Sequence, residues 1–122
     1  MQGNPYQRYM QQTVSTMTPV QLLVALYDKA EQELKKAAYY IDNKDYAGSN
    51  KSLTRVQEIV STLDASLKMK YDVSNSLTAL YSYFQERLVQ ANIKKDKAII
   101  DELLPFFAEL KESFTDVTKK GY

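Results

Sequence analysis

Residues 18–41 read TPVQLLVALYDKAEQELKKAAYYI, and this stretch decides the class of fold. Thr18 stands where a helix N-cap accepts from an early backbone N–H, Pro19 suits the first helical position, and Gln21 can reach back to close a capping box. Beyond that start Leu23, Tyr27, Ala30, Leu34, Ala37 and Ile41 recur at alternating steps of four and three. They fall on one stripe of one helix, which must be covered by something apolar.

The same rhythm returns three times further along. Leu53, Val56, Val60, Leu63 and Leu67 mark a second helix, and Leu77, Tyr81, Phe84, Leu88 and Ala91 a third, with Asp72 and Ser74 before it as caps. Ile100, Leu103, Phe107, Leu110, Phe114 and Val117 mark a fourth, capped by Asp96. The breaks near Asn43–Lys44, Lys70–Asp72 and Lys94–Lys95 are a few residues long, so neighbouring helices run antiparallel. The expected fold is all-α: an antiparallel up-down-up-down four-helix bundle over residues 18–122. Pro105 lies within the fourth stripe, where it removes a hydrogen bond and crowds the carbonyl four residues earlier. Either the fourth helix kinks there or it starts anew at Pro105. Residues 1–17 have neither period, and Asn4-Pro5 with the β-branched Thr13, Val14 and Thr16 points to an extended N-terminal arm.

At 122 residues the chain is one domain. With 16 Lys and Arg against 15 Asp and Glu, the net charge of +1 gives no field to hold a polyanion, so no nucleic acid partner is expected. His, Cys and Trp are absent, which removes an imidazole base, a thiolate nucleophile, a disulfide framework and an ordinary zinc or di-iron site. The three glycines are scattered and form no phosphate-wrapping loop. No enzyme, no metal and no cofactor is expected. No apolar run reaches a membrane span, and Met1 to Met10 lacks a signal-peptide core, so a cytoplasmic location without membrane insertion is expected.

Against these absences stand ten tyrosines and four phenylalanines. Some of the apolar surplus sits beside the stripes: Leu22 and Leu26 on the first helix, Leu80 and Tyr83 on the third, Ile99 and Phe106 on the fourth. Two readings are open, a wide core face or a second apolar seam that receives a partner helix. In the arm, Tyr6 and Tyr9 are three residues apart with Met10 following, a pattern suited to docking on an apolar surface. The carboxylates Glu31 with Glu33 and Asp101 with Glu102 point in different directions on their helices and read as solvated faces, not acid–base pairs. Lys35, Lys36, Lys94, Lys95 and Lys97 read as charged surface.

Several stretches together resemble one family, the flagellin-specific export chaperones or FliS proteins. Asn4-Pro5-Tyr6, Tyr9, Val14, Thr16, Thr18-Pro19 and Gln21-Leu22 leading to Leu26-Tyr27-Asp28 are similar to its N-terminal pattern. Leu80-Tyr81, Tyr83 and Arg87-Leu88-Val89-Gln90-Ala91-Asn92-Ile93, then Asp96, are similar to its second block. Gln21 stands where the family tends to be acidic, and Phe114 where it tends to have Trp. Gln still serves a capping box and Phe still fills a core.

The resemblance implies a cytosolic chaperone that binds the disordered C-terminal segment of flagellin, keeps it from polymerising and delivers it to components of the export gate. It also implies that the arm covers part of the binding surface while no flagellin is bound. By match to the motifs, flagellin-binding roles fall to Tyr6, Tyr9, Leu22, Leu26, Tyr27, Tyr81, Tyr83, Leu88, Ala91 and Asn92, the helix-facing members being core as well as groove wall. The competing reading of the residues is a self-associating bundle, a structural or regulatory module whose surplus seam pairs, even if weakly, with a second copy.

Overall fold

The computed structural model describes residues 17–70 and 75–119. The arm apart from Met17, with Tyr6 and Tyr9, lies outside the described residues, as do the expected caps Asp72 and Ser74 and the side chain of Leu67. Four helices make up the described chain: α1 Pro19–Asp42, α2 Tyr46–Lys70, α3 Asn75–Lys94 and α4 Lys97–Lys119. α1 begins as its sequence dictates. The Gln21 backbone N–H donates to Thr18 Oγ1 at 3.1 Å, and the Thr18 N–H donates to Gln21 Oε1 at 3.0 Å. This reciprocal box satisfies two of the donors that every helix start leaves open.

The two short turns use one device. Lys44 and Lys95 have φ of 58° and 51°, the left-handed region. The N–H of the next residue then folds back on the closing turn of the helix, Asp45 N to Tyr40 O at 2.8 Å and Asp96 N to Ala91 O at 3.2 Å. These bonds take up carbonyls that a helix end leaves without partners. After the second turn Asp96 starts α4, its Oδ1 accepting from the Ala98 N–H at 3.0 Å. α2 begins against α1 at Gly48. A Cβ at this position would lie 2.8 Å from the Tyr40 ring, so the close approach requires glycine's missing side chain.

α1 packs most extensively on α4 and α2, and α3 closes the ring against α2 and α4. Numbering runs in opposite directions along each seam. Asp42 meets Lys97 while Asp28 meets Lys111, and Asn50 meets Asn92 while Ser61 meets Gln85. The up-down-up-down bundle expected from the loop lengths is therefore the observed fold. Its core joins the stripes of all four helices, from Leu23, Tyr27 and Leu34 through Val56 and Leu63 to Tyr81, Phe84, Leu88, Leu103 and Phe107. Each such side chain contributes about 1.5–3 kcal/mol on leaving water. α4 runs unbroken through Pro105, so a separate start there is ruled out. Asp101 and Pro105 both lie on the exposed side of α4, the side on which the hydrogen bond that position 105 cannot donate to the Asp101 carbonyl costs least.

One expectation needs correction. Glu31 and Glu33 are not solvated faces: both are buried. Lys111 Nζ crosses from α4 to lie 2.7 Å from Glu31 Oε1 and 3.1 Å from Asp28 Oδ1. Glu33 turns the other way and is surrounded by Lys29 at 3.6 Å, Lys36 at 3.8 Å and Arg55 of α2 at 3.7 Å. The physical reason is that long cationic stems close over the carboxylates and keep their own heads wet, which covers an anion without leaving it unpaired.

Candidate functional site

The apolar surplus noted in the sequence divides once the helices meet. Leu26 and Ile99 go into the core, Leu22 and Leu80 are half-buried against it, and Tyr83 and Phe106 stay at the surface. Tyr83 and Phe106 face each other across the seam between α3 and α4, rings edge to face with centroids 6.3 Å apart. They are 38% and 39% exposed, so an aromatic surface of two rings is offered to solvent. Beneath it Phe106 meets Phe84 at 5.7 Å, and Phe84 stacks on Phe107 at 4.7 Å. Tyr27 continues the series, tilted against Phe107 and stacked on Phe114 at 5.7 Å. The surface pair is thus seated on packed rings, which fixes its geometry before any partner arrives.

A polar clamp frames the pair. The Tyr83 hydroxyl donates to Glu102 Oε2, and Arg87 Nη2 donates to Glu102 Oε1 at 2.9 Å. These two bonds, Tyr83's the larger effect, hold the Glu102 carboxyl below its usual range. The clamp ties α3 to α4 and leaves both aromatic residues more than a third exposed. Further along the exposed side of α3, Val89 and Ile93 add apolar surface, Ile93 being 71% exposed. Tyr39 and Tyr46, at the turn between α1 and α2, are also exposed. The periodicity did not single out these two, because an exposed tyrosine beside a stripe looks like one that widens it.

The residues assigned by motif fall into three groups. Tyr6 and Tyr9 lie outside the described residues. Leu26, Tyr27, Tyr81, Leu88 and Ala91 are interior, so in this conformation they shape the bundle from within. Leu22, Tyr83 and Asn92 reach the surface. Asn92 also has a structural duty, since its Nδ2 donates to Asn50 Oδ1 of α2 at 2.6 Å while its Oδ1 accepts from Lys95 Nζ at 2.6 Å. The two buried tyrosines meet at the bundle's centre, the hydroxyls of Tyr27 and Tyr81 sharing a hydrogen bond across 54 residues of sequence. Burial, the largest influence, pushes the Tyr81 phenol up to about 12 and raises that of Tyr27 further.

Among the described residues no group of acidic side chains is placed to hold a metal ion, and no helix is long and apolar enough to cross a membrane. The fold and its exposed aromatic seam define a small all-α bundle of the kind that presents a preformed surface to another chain. The chain belongs to the FliS family: the family model described as flagellar protein FliS matches residues 2–121. It is 34% identical over 111 residues to the flagellar secretion chaperone FliS of Bacillus subtilis, covering 91% of this chain and 84% of that one. It is 25% identical over 115 residues to the flagellar secretion chaperone FliS of Salmonella typhimurium, covering 92% and 85%. The family is one of chaperones, not enzymes.

Proposed function

We propose that this protein is a flagellar export chaperone that binds the disordered C-terminal segment of flagellin in the cytosol. It keeps that segment from polymerising early and hands it to components of the export gate. The observation that carries the reading, beside family membership, is the rigidly seated Tyr83–Phe106 pair on the α3–α4 seam. An apolar face of a folding segment can lie along such a seam with Tyr83 as its accessible contact, while Leu22 on α1 and Asn92 on the α2 side of α3 serve stretches of the segment elsewhere on the bundle. Leu26, Tyr27, Tyr81, Leu88 and Ala91 then act as the wall behind the surface. Residues 1–17, through Tyr6 and Tyr9, form an arm that covers part of it until flagellin binds.

The test is titration calorimetry with the C-terminal segment of the host flagellin. One-to-one binding is expected, with a negative heat-capacity change, because ordering the segment costs about 2–5 kcal/mol against burial of apolar surface. Affinity should change little with moderate salt at a net charge of +1. A near-zero heat-capacity change, or a steep loss of affinity with salt, refutes the reading. Sedimentation of the protein alone separates it from the self-associating bundle, which dimerises and ignores flagellin.

A further inference from the structure

The seam between α1 and α2 carries a surplus of positive charge. Glu33 is buried there and three cations share it, Lys29 and Lys36 on Oε2 at 3.6 and 3.8 Å and Arg55 of α2 on Oε1 at 3.7 Å. One carboxylate cancels one of these three charges. All three distances are longer than a hydrogen bond, so Glu33 positions the cationic heads without using up their N–H donors, and each side chain is more than a third exposed. The register of the seam, Gly48 against Tyr40 and Arg55 against Glu33, sets Lys51 level with Ala37 and one turn of α2 before Arg55. Lys51 is exposed and has no ion-pair partner among the described residues, which makes a fourth cation. Glu58, a turn beyond Arg55, returns one negative charge, and Asp45 is spent on the Gly48 N–H at 3.0 Å. Aromatic surface adjoins the cations. Tyr40 rests on Gly48, and Tyr39, one turn on from Lys36, is 65% exposed with its ring edge to face against that of Tyr40 at 5.8 Å.

We infer that the α1–α2 seam is a second docking surface, and that it takes an acidic segment of another protein whose carboxylates lie close to an apolar or aromatic side chain. Charge complementarity carries the assignment: four cations stand here against Glu33 and Glu58, and the carboxylates of the segment supply the missing anions. Exposed ion pairs are individually worth little, so several must act together. Glu33 helps in this, because cations already gathered around a buried carboxylate lose less freedom when a partner arrives. The aromatic seam of α3 and α4 has the opposite character. Glu86 stands beside Tyr83, Glu109 follows Phe106 by one turn, and Arg87 is taken by Glu102, so an acidic segment is repelled there and directed to α1 and α2. A bilayer or a nucleic acid responds to the whole surface, of net charge +1, whereas a short segment meets this face alone.

The test uses the full chain with the acetylated, amidated peptide DDLDDF, and with NNLNNF as its neutral control. Nitrogen–proton correlation spectra should show saturable shifts at Lys36, Tyr39, Lys51 and Arg55 with the acidic peptide. Binding should be about tenfold weaker with the control, and about tenfold weaker for the acidic peptide on going from low to moderate salt. Lys51→Glu changes an exposed position without a partner, so the fold is kept and the affinity should drop about fivefold. Lys36→Gln leaves Lys29 and Arg55 over Glu33 and should cost about twofold. Equal affinity for the two peptides, or affinity indifferent to salt and to both variants, overturns the proposal. Capture by vesicles of phosphatidylglycerol and phosphatidylcholine through the same residues also defeats it, as does self-association at low salt that Lys51→Glu abolishes, since the occupant is then a membrane or a second copy. The flagellin segment should bind Lys51→Glu as it binds wild type and should not displace the acidic peptide. Displacement makes the two surfaces one and refutes a separate site, whereas a chain that ignores flagellin and still takes the acidic peptide refutes the chaperone reading and upholds this one.

Discussion

Replacing the two buried tyrosines singly and together gives the sharpest test of how the core is held. Tyr27 is fully buried and its hydroxyl bonds that of Tyr81, which in turn borders a cavity between α2 and α3. Tyr81→Phe therefore strands the Tyr27 hydroxyl in an apolar interior, at a cost of about 1–3 kcal/mol. Tyr27→Phe strands only the Tyr81 hydroxyl, which a water in the cavity can serve, and should cost below about 1 kcal/mol. The double variant leaves neither group unpaired and should lie within about 1 kcal/mol of wild type, since removing both partners is nearly neutral. Urea unfolding reads this directly. With a slope on the order of 2 kcal/mol per molar, Tyr81→Phe should lower the midpoint by roughly 1 M, and adding Tyr27→Phe should restore most of it. The coupling is then about 1–2 kcal/mol in favour of the double variant. Strictly additive losses refute the assignment and place the stabilisation in ring packing alone.

The same pair sets an alkaline limit. Tyr81 titrates at an ordinary 10.0 when unfolded and near 12 in the bundle, so between these values the folded state keeps a proton that the unfolded state releases. Stability is fully present below pH 10, and Tyr81 alone should remove about 2–3 kcal/mol of it as pH climbs to 12, Tyr27, raised further, adding to the fall; the double Phe variant should show a flatter profile by circular dichroism. Lys44 holds φ at 58°, so Lys44→Gly should raise stability by about 1 kcal/mol, and a drop in midpoint argues that its side chain secures the turn. Gly48→Ala normally gains about 0.5–1 kcal/mol within a helix, but the Cβ would meet the Tyr40 ring at 2.8 Å. Its unfolding midpoint should therefore fall, and a gain of the full helical amount shows that the ring moves freely aside. Leu88→Ala, in the core, should cost about 2–5 kcal/mol of stability. Tyr83→Ala should leave the fold nearly as stable and weaken flagellin binding about tenfold, an outcome that calorimetry on the folded fraction separates from simple destabilisation.

What the sequence determined by itself is everything set by neighbours a turn or two away. The capping box of Thr18 and Gln21, the four stripes, the turns near Asn43–Lys44 and Lys94–Lys95 and the cap at Asp96 are all local. Helical period and backbone satisfaction at helix ends act over three to five residues. The resemblance of the motifs carried the family, because those motifs quote residues in order. Tertiary structure decided the side of the boundary on which each ambiguous residue falls. Leu26 and Tyr83 both flank their stripes, yet Leu26 meets no solvent and Tyr83 does, because burial depends on which helix lies opposite. Glu31 and Glu33 looked solvated until Lys111 and Arg55 arrived from other helices to cover them. Tyr27 and Tyr81 likewise meet only through the docking of α3, since no period on a single helix relates side chains brought together by the packing of several.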